Sequence, residues 1–186
     1  MDVLDHNFQQ LPFHLLAFWL YDHRTQTCSD LNIHCISNIL LRFRAPGCSN
    51  ILAVDDEPDM LKLLSMIIRE KTEHKIITTN NPLEALEIAK QGGIDLLIAD
   101  LKMPGLDGSE LLDAVKAFDQ DIPVVIITAF ATEEAAAETL QKGGFDFIIK
   151  PFRKEQILST IDKALKWTEM QKENRELKAK LKSSEA

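Results

Sequence analysis

The 186-residue sequence has few cysteines, and their spacing marks no disulfide or metal framework. All three, Cys28, Cys35 and Cys48, lie in the first 50 residues. An odd count at irregular spacing does not indicate a disulfide scaffold. The cysteines and histidines of this segment also match no paired-ligand template for zinc. The sequence therefore gives no support to either class of small stapled domain.

Long hydrophobic runs are also missing. The longest early run, Leu11 to Tyr21, is interrupted by Pro12 and His14. It is shorter than the roughly 20 residues that a membrane span needs. The amino terminus carries Asp2 and Asp5 instead of a basic region, which a secretory signal would have. We therefore expect a cytoplasmic protein without a membrane segment.

The chain has no excess of positive charge. Its net charge is −8, which argues against binding nucleic acid over the whole surface. The net charge is −1 over residues 1–50, −10 over residues 51–152 and +3 over residues 153–186. A surplus of three basic groups at the carboxyl terminus is too small to indicate DNA binding. We predict no direct contact with nucleic acid.

What the sequence does contain, from Ile51 onward, is an alternation of short apolar runs and helical stretches. Several runs are apolar on both faces, as in strands covered by helices on each side. Asn81-Pro82, Asp107 with Glu110, and Thr132 are typical helix starts. The alternation predicts a parallel α/β sheet with right-handed crossovers. The predicted strands are Ile51–Val54, Lys75–Thr79, Ile94–Ala99, Val124–Ile127 and Phe145–Ile149.

The last predicted helix runs from about Lys154 to Lys182 without glycine or proline. Beyond residue 166 its apolar positions change to the 3-4 spacing of a coiled coil, with Asn174 at an a position that can fix the register. A short dimer-forming coiled coil and a solvated amphipathic tail both fit this pattern. We divide the chain into an irregular or poorly ordered extension (1–49), an α/β domain (50–166) and an amphipathic helix (167–186). The seam positions are Trp167, Met170, Asn174, Leu177 and Leu181.

Charged and polar residues stand where the predicted strands end. In open parallel sheets, sites form at this carboxyl edge. Like charges about 4 Å apart repel by about 1 kcal/mol in water and by more at a protein surface. The acids among them therefore predict either a compensating group or a cation site. Singly, each residue also has a structural explanation, such as a helix cap or a strand end, but all five share one edge. They are Asp55, Asp56, Asp100, Thr128 and Lys150.

Residues 51–166 resemble the receiver domain of two-component response regulators, such as CheY-like receivers. The resemblance rests on ILAVDDEP, LLIADLKMPGLDG, VVIITA and GGFDFIIKPF, in the family's order and spacing. It implies a flavodoxin-like, doubly wound five-stranded parallel sheet of order 2-1-3-4-5 with helices on both faces. The extended carboxyl-terminal helix is similar to the linker of larger regulators. Gly143-Gly144 departs from the family's usual Gly-Ala, which we expect to loosen that loop.

The resemblance also implies residue roles. Asp100 matches the phosphorylated aspartate, and Thr128 and Lys150 match the residues that contact the phosphoryl group. Phe147 matches the aromatic switch residue, and the Lys150–Pro151 peptide bond is expected to be cis. Mg²⁺, which favours oxygen ligands, is the implied cofactor. Its implied ligands are Asp55, Asp56, Asp100 and the backbone carbonyl of Lys102.

The implied function is that of a signalling phosphoacceptor, not an enzyme beyond slow self-catalysed phosphorylation and dephosphorylation. The expected partners are a sensor histidine kinase or phosphotransfer protein and a downstream protein target. Signalling is expected through the surface of the fourth helix, fifth strand and fifth helix. Homodimers through that surface or through the last helix are also expected. Lys102 and Phe130 are hypothesised to tune the lifetime of the phosphorylated state.

Two alternatives remain at this level. An aspartate-nucleophile phosphatase needs a second acid two residues after its nucleophile, and that position holds Lys102. A receiver-like interaction or dimerisation module that is never phosphorylated usually loses an acid or the lysine, whereas this chain has both. Formation of a phosphate adduct on Asp100 distinguishes the phosphoacceptor from the interaction module.

Overall fold

The fold is described here from a computed structural model covering residues 47–129 and 132–184. Five strands alternate with five helices along this part of the chain. The strands are β1 (Asn50–Val54), β2 (Lys75–Thr79), β3 (Leu96–Asp100), β4 (Val124–Thr128) and β5 (Asp146–Ile149). The helices are α1 (Pro58–Lys71), α2 (Pro82–Lys90), α3 (Gly108–Phe118), α4 (Glu133–Gln141) and α5 (Lys154–Ser184).

The strands form one sheet in the order β2-β1-β3-β4-β5, and each neighbouring pair is parallel. The predicted strand order and fold class are thereby confirmed. The predicted third strand begins two residues early, since β3 starts at Leu96. Asp95 still bonds to β1 through its backbone and donates its N–H to the carbonyl of Asn50 at 2.9 Å. Its carboxylate accepts the N–H of Asn50 at 2.8 Å, in the place of a carbonyl of the ladder.

Two apolar layers enclose the sheet because successive strand residues point to opposite faces. Leu52, Leu97 and Ile126 pack with helices α2 and α3. On the other face, β-strand residues such as Ile98 and Ile127 pack with α1 and α5. A sheet covered on both faces explains why the strands read as continuous apolar runs.

The helix starts follow their predicted caps. The side chain of Asn81 accepts the N–H of Leu83 at the start of α2. Asp107 and Glu110 form a reciprocal capping box at the start of α3. These bonds satisfy N–H groups that have no partner inside a helix.

The expectation that Gly143-Gly144 loosens its loop is wrong for Gly144. Its N–H donates to the carbonyl of Thr139 at 2.9 Å. A Cβ added at Gly144 would lie 2.7 Å from both Cγ2 and the carbonyl oxygen of Thr139. Glycine is therefore needed here, because the last turn of α4 lies against the backbone that leads into β5.

Of the predicted extension 1–49, residues 1–46 lie outside the described part of the chain. Cys48 and Ser49 precede β1 and bond to the loop between α1 and β2. None of the helices described has the length and apolar character required to cross a membrane.

Candidate functional site

The carboxyl ends of four neighbouring strands meet at one edge of the sheet. Asp55 directly follows β1, Asp100 ends β3, Thr128 ends β4 and Lys150 directly follows β5. These four side chains come from segments nearly a hundred residues apart in sequence. Their placement follows from the parallel order, which aligns the carboxyl ends of all these strands.

Lys150 joins the two buried carboxylates at this edge. Its Nζ lies 2.8 Å from Oδ2 of Asp55 and 2.8 Å from Oδ1 of Asp100. The side chain of Lys150 is 10% exposed, that of Asp55 3% and that of Asp100 8%. One ammonium therefore compensates two carboxylates that would otherwise repel each other in a poorly solvated site.

The second oxygen of each carboxylate accepts a backbone N–H. Oδ1 of Asp55 accepts from Glu57 at 2.8 Å, and Oδ2 of Asp100 accepts from Lys102 at 2.6 Å. These bonds fix both carboxylates in orientation as well as in position. The loop after each strand thus shapes the site through its backbone.

Burial and hydrogen bonding compete in setting the proton affinities of the site. Burial raises the pKa of Asp55 above its ordinary value, although the bonds from Lys150 and the Glu57 N–H oppose it. Burial alone would lower the pKa of Lys150, but its bonds to Asp100 and Asp55 outweigh burial and raise it. Lys150 is therefore held firmly in its charged form.

The side chains of the remaining predicted metal ligands lie at the exposed rim of the site. Asp56 is exposed, and Lys102, whose carbonyl is the predicted ligand, also has an exposed side chain. Within residues 47–129 and 132–184 no three His, Cys, Asp or Glu side chains form a group that could hold a metal ion. The structure brings together Asp55 and Asp100 but does not add Asp56 to them.

The chemistry of these donors nevertheless suits Mg²⁺. Asp55 and Asp100 supply hard carboxylate oxygens within reach of one cation, the ammonium of Lys150. Mg²⁺ is commonly held by one or two carboxylates while it keeps several waters. Asp56 directly follows Asp55. Lys102 lies two residues after Asp100, whose side chain accepts the Lys102 N–H. The two buried carboxylates therefore suit the ion by their chemistry.

Sequence analysis left Glu57 out of the site. Its Oε1 lies 3.8 Å from Nζ of Lys150, although its side chain is 68% exposed. Its N–H also orients Asp55. Glu57 is visible in the sequence as the third of three consecutive acids, Asp55-Asp56-Glu57. Whether its side chain faces Lys150 depends on how the chain turns into α1, which the sequence does not show.

Thr128 and Phe147 occupy neighbouring strands. Thr128 is fully buried at the end of β4, and its carbonyl accepts the N–H of Lys150 at 2.8 Å. Phe147 pairs in register with Ile126. It is partly buried and packs against the apolar layer to which Ile126 belongs. Phe130 lies outside the described residues.

The loop after Asp100 depends on a close approach at Gly108. A Cβ there would lie 2.2 Å from the backbone oxygen of Asp100. The Gly108 N–H also donates to the carbonyl of Leu101 at 2.9 Å. The start of α3 is thus packed directly on the residue that ends β3. At the same edge of the sheet, the Lys150–Pro151 peptide bond is cis, as expected.

Comparison with known proteins identifies what this arrangement is similar to. Residues 51–162 match the family model described as the response regulator receiver domain. The transcriptional regulatory protein ZraR of Klebsiella oxytoca is 34% identical over 65% of this chain and 27% of its own length. A putative NtrX-like response regulator of Rickettsia bellii is 28% identical over 71% of this chain and 28% of its own.

Solved structures agree with the family match. NtrX of Brucella abortus, solved with ADP, has a TM-score of 0.65 at 30% identity, covering 70% of this chain and 30% of NtrX. A receiver domain protein of Clostridium thermocellum has a TM-score of 0.63 at 25% identity, covering 66% of this chain and 98% of that protein. The chain spans about a quarter of the length of the curated regulators it matches.

Proposed function

Because the chain belongs to the response regulator receiver domain family, we propose that it signals by accepting a phosphoryl group on Asp100. The observation that carries the proposal is the contact of the buried Asp100 carboxylate with Lys150, beside Asp55. A carboxylate held in place by an ammonium can act as a nucleophile toward phosphorus. The donors proposed are a sensor histidine kinase or a phosphotransfer protein.

In the proposed transfer, a carboxylate oxygen of Asp100 forms a bond to phosphorus while the bond from phosphorus to the donor histidine nitrogen breaks. The freed imidazole keeps the electron pair of that bond. Such transfers depend mainly on positioning and on neutralising charge. Lys150 supplies a fixed positive charge, and the Lys102 N–H keeps Asp100 in one orientation.

The ion that receiver domains generally use is Mg²⁺, which favours carboxylate oxygens. We propose that Asp55, Asp56, Asp100 and the carbonyl of Lys102 hold Mg²⁺. The bound ion would offset negative charge on the acids and on the phosphoryl oxygens. The Glu57 N–H keeps Asp55 oriented for this role.

The proposed switch begins at Thr128. A phosphoryl group adds nearly two negative charges and several acceptor oxygens, toward which the Thr128 hydroxyl would turn as a donor. Phe147 lies on the neighbouring strand and is only partly buried, and in the proposed switch it turns inward as Thr128 moves. The surface of α4, β5 and α5 would then change shape and present itself to a downstream protein.

That surface has exposed apolar side chains available for a partner. Leu140 on α4 is 53% exposed, and Ile149 at the end of β5 is 50% exposed. We propose that this face contacts the downstream target. A homodimer through the same face or through the end of α5 is the further assembly we propose.

The decisive experiment is intact-mass spectrometry after incubation with Mg²⁺ and acetyl phosphate. We expect one phosphate adduct in the wild-type chain and none in Asp100→Asn, which keeps the side chain's shape. Asp107→Asn, in the loop after β3, is the matched control and should be modified like the wild type. Failure of the wild-type chain to form an adduct would favour the unphosphorylated interaction module.

A further inference from the structure

The first two to three turns of α5 beyond residue 166 lie against the body of the domain. The Thr168 hydroxyl donates to the carbonyl of Asp95 at 3.0 Å. The Lys172 ammonium forms a short ion pair with Oδ1 of Asp95, while the other carboxylate oxygen accepts the Asn50 N–H. The Asp95 side chain is only 4% exposed. A buried carboxylate is thus compensated by a lysine from the helix extension.

Three further contacts attach the same part of α5. Nη1 of Arg175 lies 2.9 Å from Oδ2 of Asp121. The ring of Trp167 lies 6.0 Å from that of Phe145, centroid to centroid, at a tilt of 59°. Nζ of Lys116 lies 5.8 Å from the centroid of the Trp167 ring. We call the contacts of Trp167, Thr168, Lys172 and Arg175 with the domain body the clasp.

Lys116 of the clasp lies in α3, whereas the other three body residues precede strands. Asp95 immediately precedes β3, Asp121 lies just before β4 and Phe145 immediately precedes β5. Those strands end at, or immediately before, Asp100, Thr128 and Lys150. Each strand of four or five residues spans roughly 13–17 Å. Three strands therefore connect the clasp directly to the three residues proposed to handle the phosphoryl group.

The clasp also determines which side of α5 faces outward. At 100° per residue, Thr168, Lys172 and Arg175 share one side of the helix. Met170 and Leu177 lie on the opposite side and are 54% and 51% exposed. The contacts with the body thus direct the apolar stripe away from the domain.

We propose that the clasp and phosphorylation of Asp100 oppose each other, so that the clasp is closed in the unmodified protein and loosens when the phosphoryl group is present. This inference rests on the proposed function of Asp100. Under this proposal, the contacts between the helix extension and the domain body change with the phosphorylation state of Asp100.

The direction follows from the contacts at the two ends of the strands. In the structure Lys150 is bound by Asp55 and Asp100 while the clasp is closed. Phosphoryl oxygens would compete for Lys150 and draw in Thr128, which moves the ends of β5 and β4. The segments that lead into those strands contact α5, through Phe145 with Trp167 and through Asp121 with Arg175. Coupling between two sites is reciprocal, so that opening the clasp must also favour the modified site.

The first test is hydrogen exchange of the full chain before and after phosphorylation, with the adduct verified by intact mass. We expect the amides of residues 167–175 to exchange at least about fivefold faster in the phosphorylated protein, a coupling within the usual allosteric range. Amides of α2, which holds none of the clasp residues, serve as the internal reference. A complete adduct with unchanged exchange at 167–175 overturns this inference alone, whereas the absence of an adduct overturns the proposed function with it.

The second test measures the reverse direction by titrating the full chain with beryllofluoride and Mg²⁺ in a calorimeter. Lys172→Met keeps the aliphatic chain but removes the ion pair to Asp95, and should bind beryllofluoride about fivefold more tightly than the wild type. Lys163→Met, an exposed lysine on the same helix, should bind as the wild type does.

The sign of this effect separates coupling from simple destabilisation. A variant that merely disturbs the fold would bind the phosphoryl mimic equally or more weakly, and either result overturns the inference. Arg175→Met removes the contact with Asp121 at a half-exposed position and provides a second variant should Lys172→Met fail to fold. It should also bind beryllofluoride more tightly, by a smaller factor.

Discussion

Lys150 is the residue on which the charge balance of the site depends. Its ammonium bonds to both Asp55 and Asp100, and all three side chains are at most 10% exposed. Removing one partner of a buried ion pair leaves an uncompensated charge and typically costs 3–5 kcal/mol. The same side chain therefore contributes to stability and, by our proposal, to phosphoryl transfer.

Replacing Lys150 by Met tests this balance. We expect the free energy of unfolding to fall by about 3 kcal/mol without divalent ions. Added Mg²⁺ should restore much of the loss, because a cation then again offsets the two carboxylates. Urea denaturation with and without Mg²⁺ measures both effects.

The control for that substitution is Lys62→Met, which removes a lysine that is 78% exposed and forms an ion pair with Asp59, three residues earlier. Its unfolding free energy should stay close to that of the wild type. If Lys150→Met were no less stable than this control, the ammonium would not be needed to balance the two acids.

Asp55 gives the site a pH dependence. Burial raises its pKa, and only the deprotonated carboxylate can bind Mg²⁺. As the pH falls, protons therefore compete at Asp55 before they compete at an ordinary aspartate. We expect Mg²⁺ affinity, measured by calorimetry from pH 7.5 down to pH 5, to decrease steadily.

The comparison for this effect is Asp107→Asn, which should show the wild-type decrease because Asp107 caps α3. In Asp55→Asn the remaining Mg²⁺ binding should be weaker at pH 7.5 and should depend less on pH. An affinity that stays constant down to pH 5 in the wild type would contradict the assignment of Asp55 as a ligand.

The sequence predicts which residues lie at the site but not how their side chains pair. Asp100, Thr128 and Lys150 were placed at one edge because strand ends are local patterns and parallel strands align their ends. The division of Lys150 between two acids was not predicted, since it depends on side-chain conformations. The pairing of Lys172 with Asp95 joins residues 77 positions apart, and no local pattern connects them.

At the scale of single elements, the contact between α4 and the backbone leading into β5 shows how two positions constrain each other. Thr139 is 2% exposed, and its Cγ2 and carbonyl oxygen occupy the space that a Cβ at Gly144 would need. The sequence comparison at Gly144 predicted looseness because it considered that position alone. Thr139, which lies against Gly144, explains why this position needs glycine.

The Gly144→Ala substitution should destabilise the domain by about 1–3 kcal/mol, as overpacking in a tight site does. Adding Thr139→Ala should recover part of this loss by removing Cγ2. Recovery should be incomplete because the carbonyl oxygen of Thr139 stays 2.7 Å from the new Cβ position. Urea denaturation of the two single variants and the double variant measures the coupling.

The double-variant cycle contains its own control, since Thr139→Ala alone reports the loss of the buried methyl group and hydroxyl. We expect an interaction free energy of at least about 0.5 kcal/mol between the two positions. Strictly additive effects would mean that Thr139 and Gly144 do not share the space that the structure assigns to them.

At the scale of the whole molecule, the position of α5 gives the domain a protruding helical end. The helix continues to Ser184, beyond the last clasp residue, Arg175. The apolar stripe continues beyond it at Leu177 and Leu181, which are 51% and 64% exposed. The 3-4 spacing of this stripe could be predicted from the sequence, whereas its outward direction required the contacts of the opposite side.

A second copy of the chain is the proposed cover for this stripe, and Leu177→Lys tests it. Burying a leucine side chain contributes about 1.5–3 kcal/mol, and the substitution also places like charges together in a dimer. We expect the wild type to associate as concentration rises and Leu177→Lys to raise the dissociation constant at least about tenfold.

Ala179→Lys adds the same charge at an exposed position off the stripe and should associate as the wild type does. Sedimentation equilibrium over a range of concentrations separates these outcomes. A wild type that stays monomeric, or equal effects of the two lysines, would exclude the dimer through this helix.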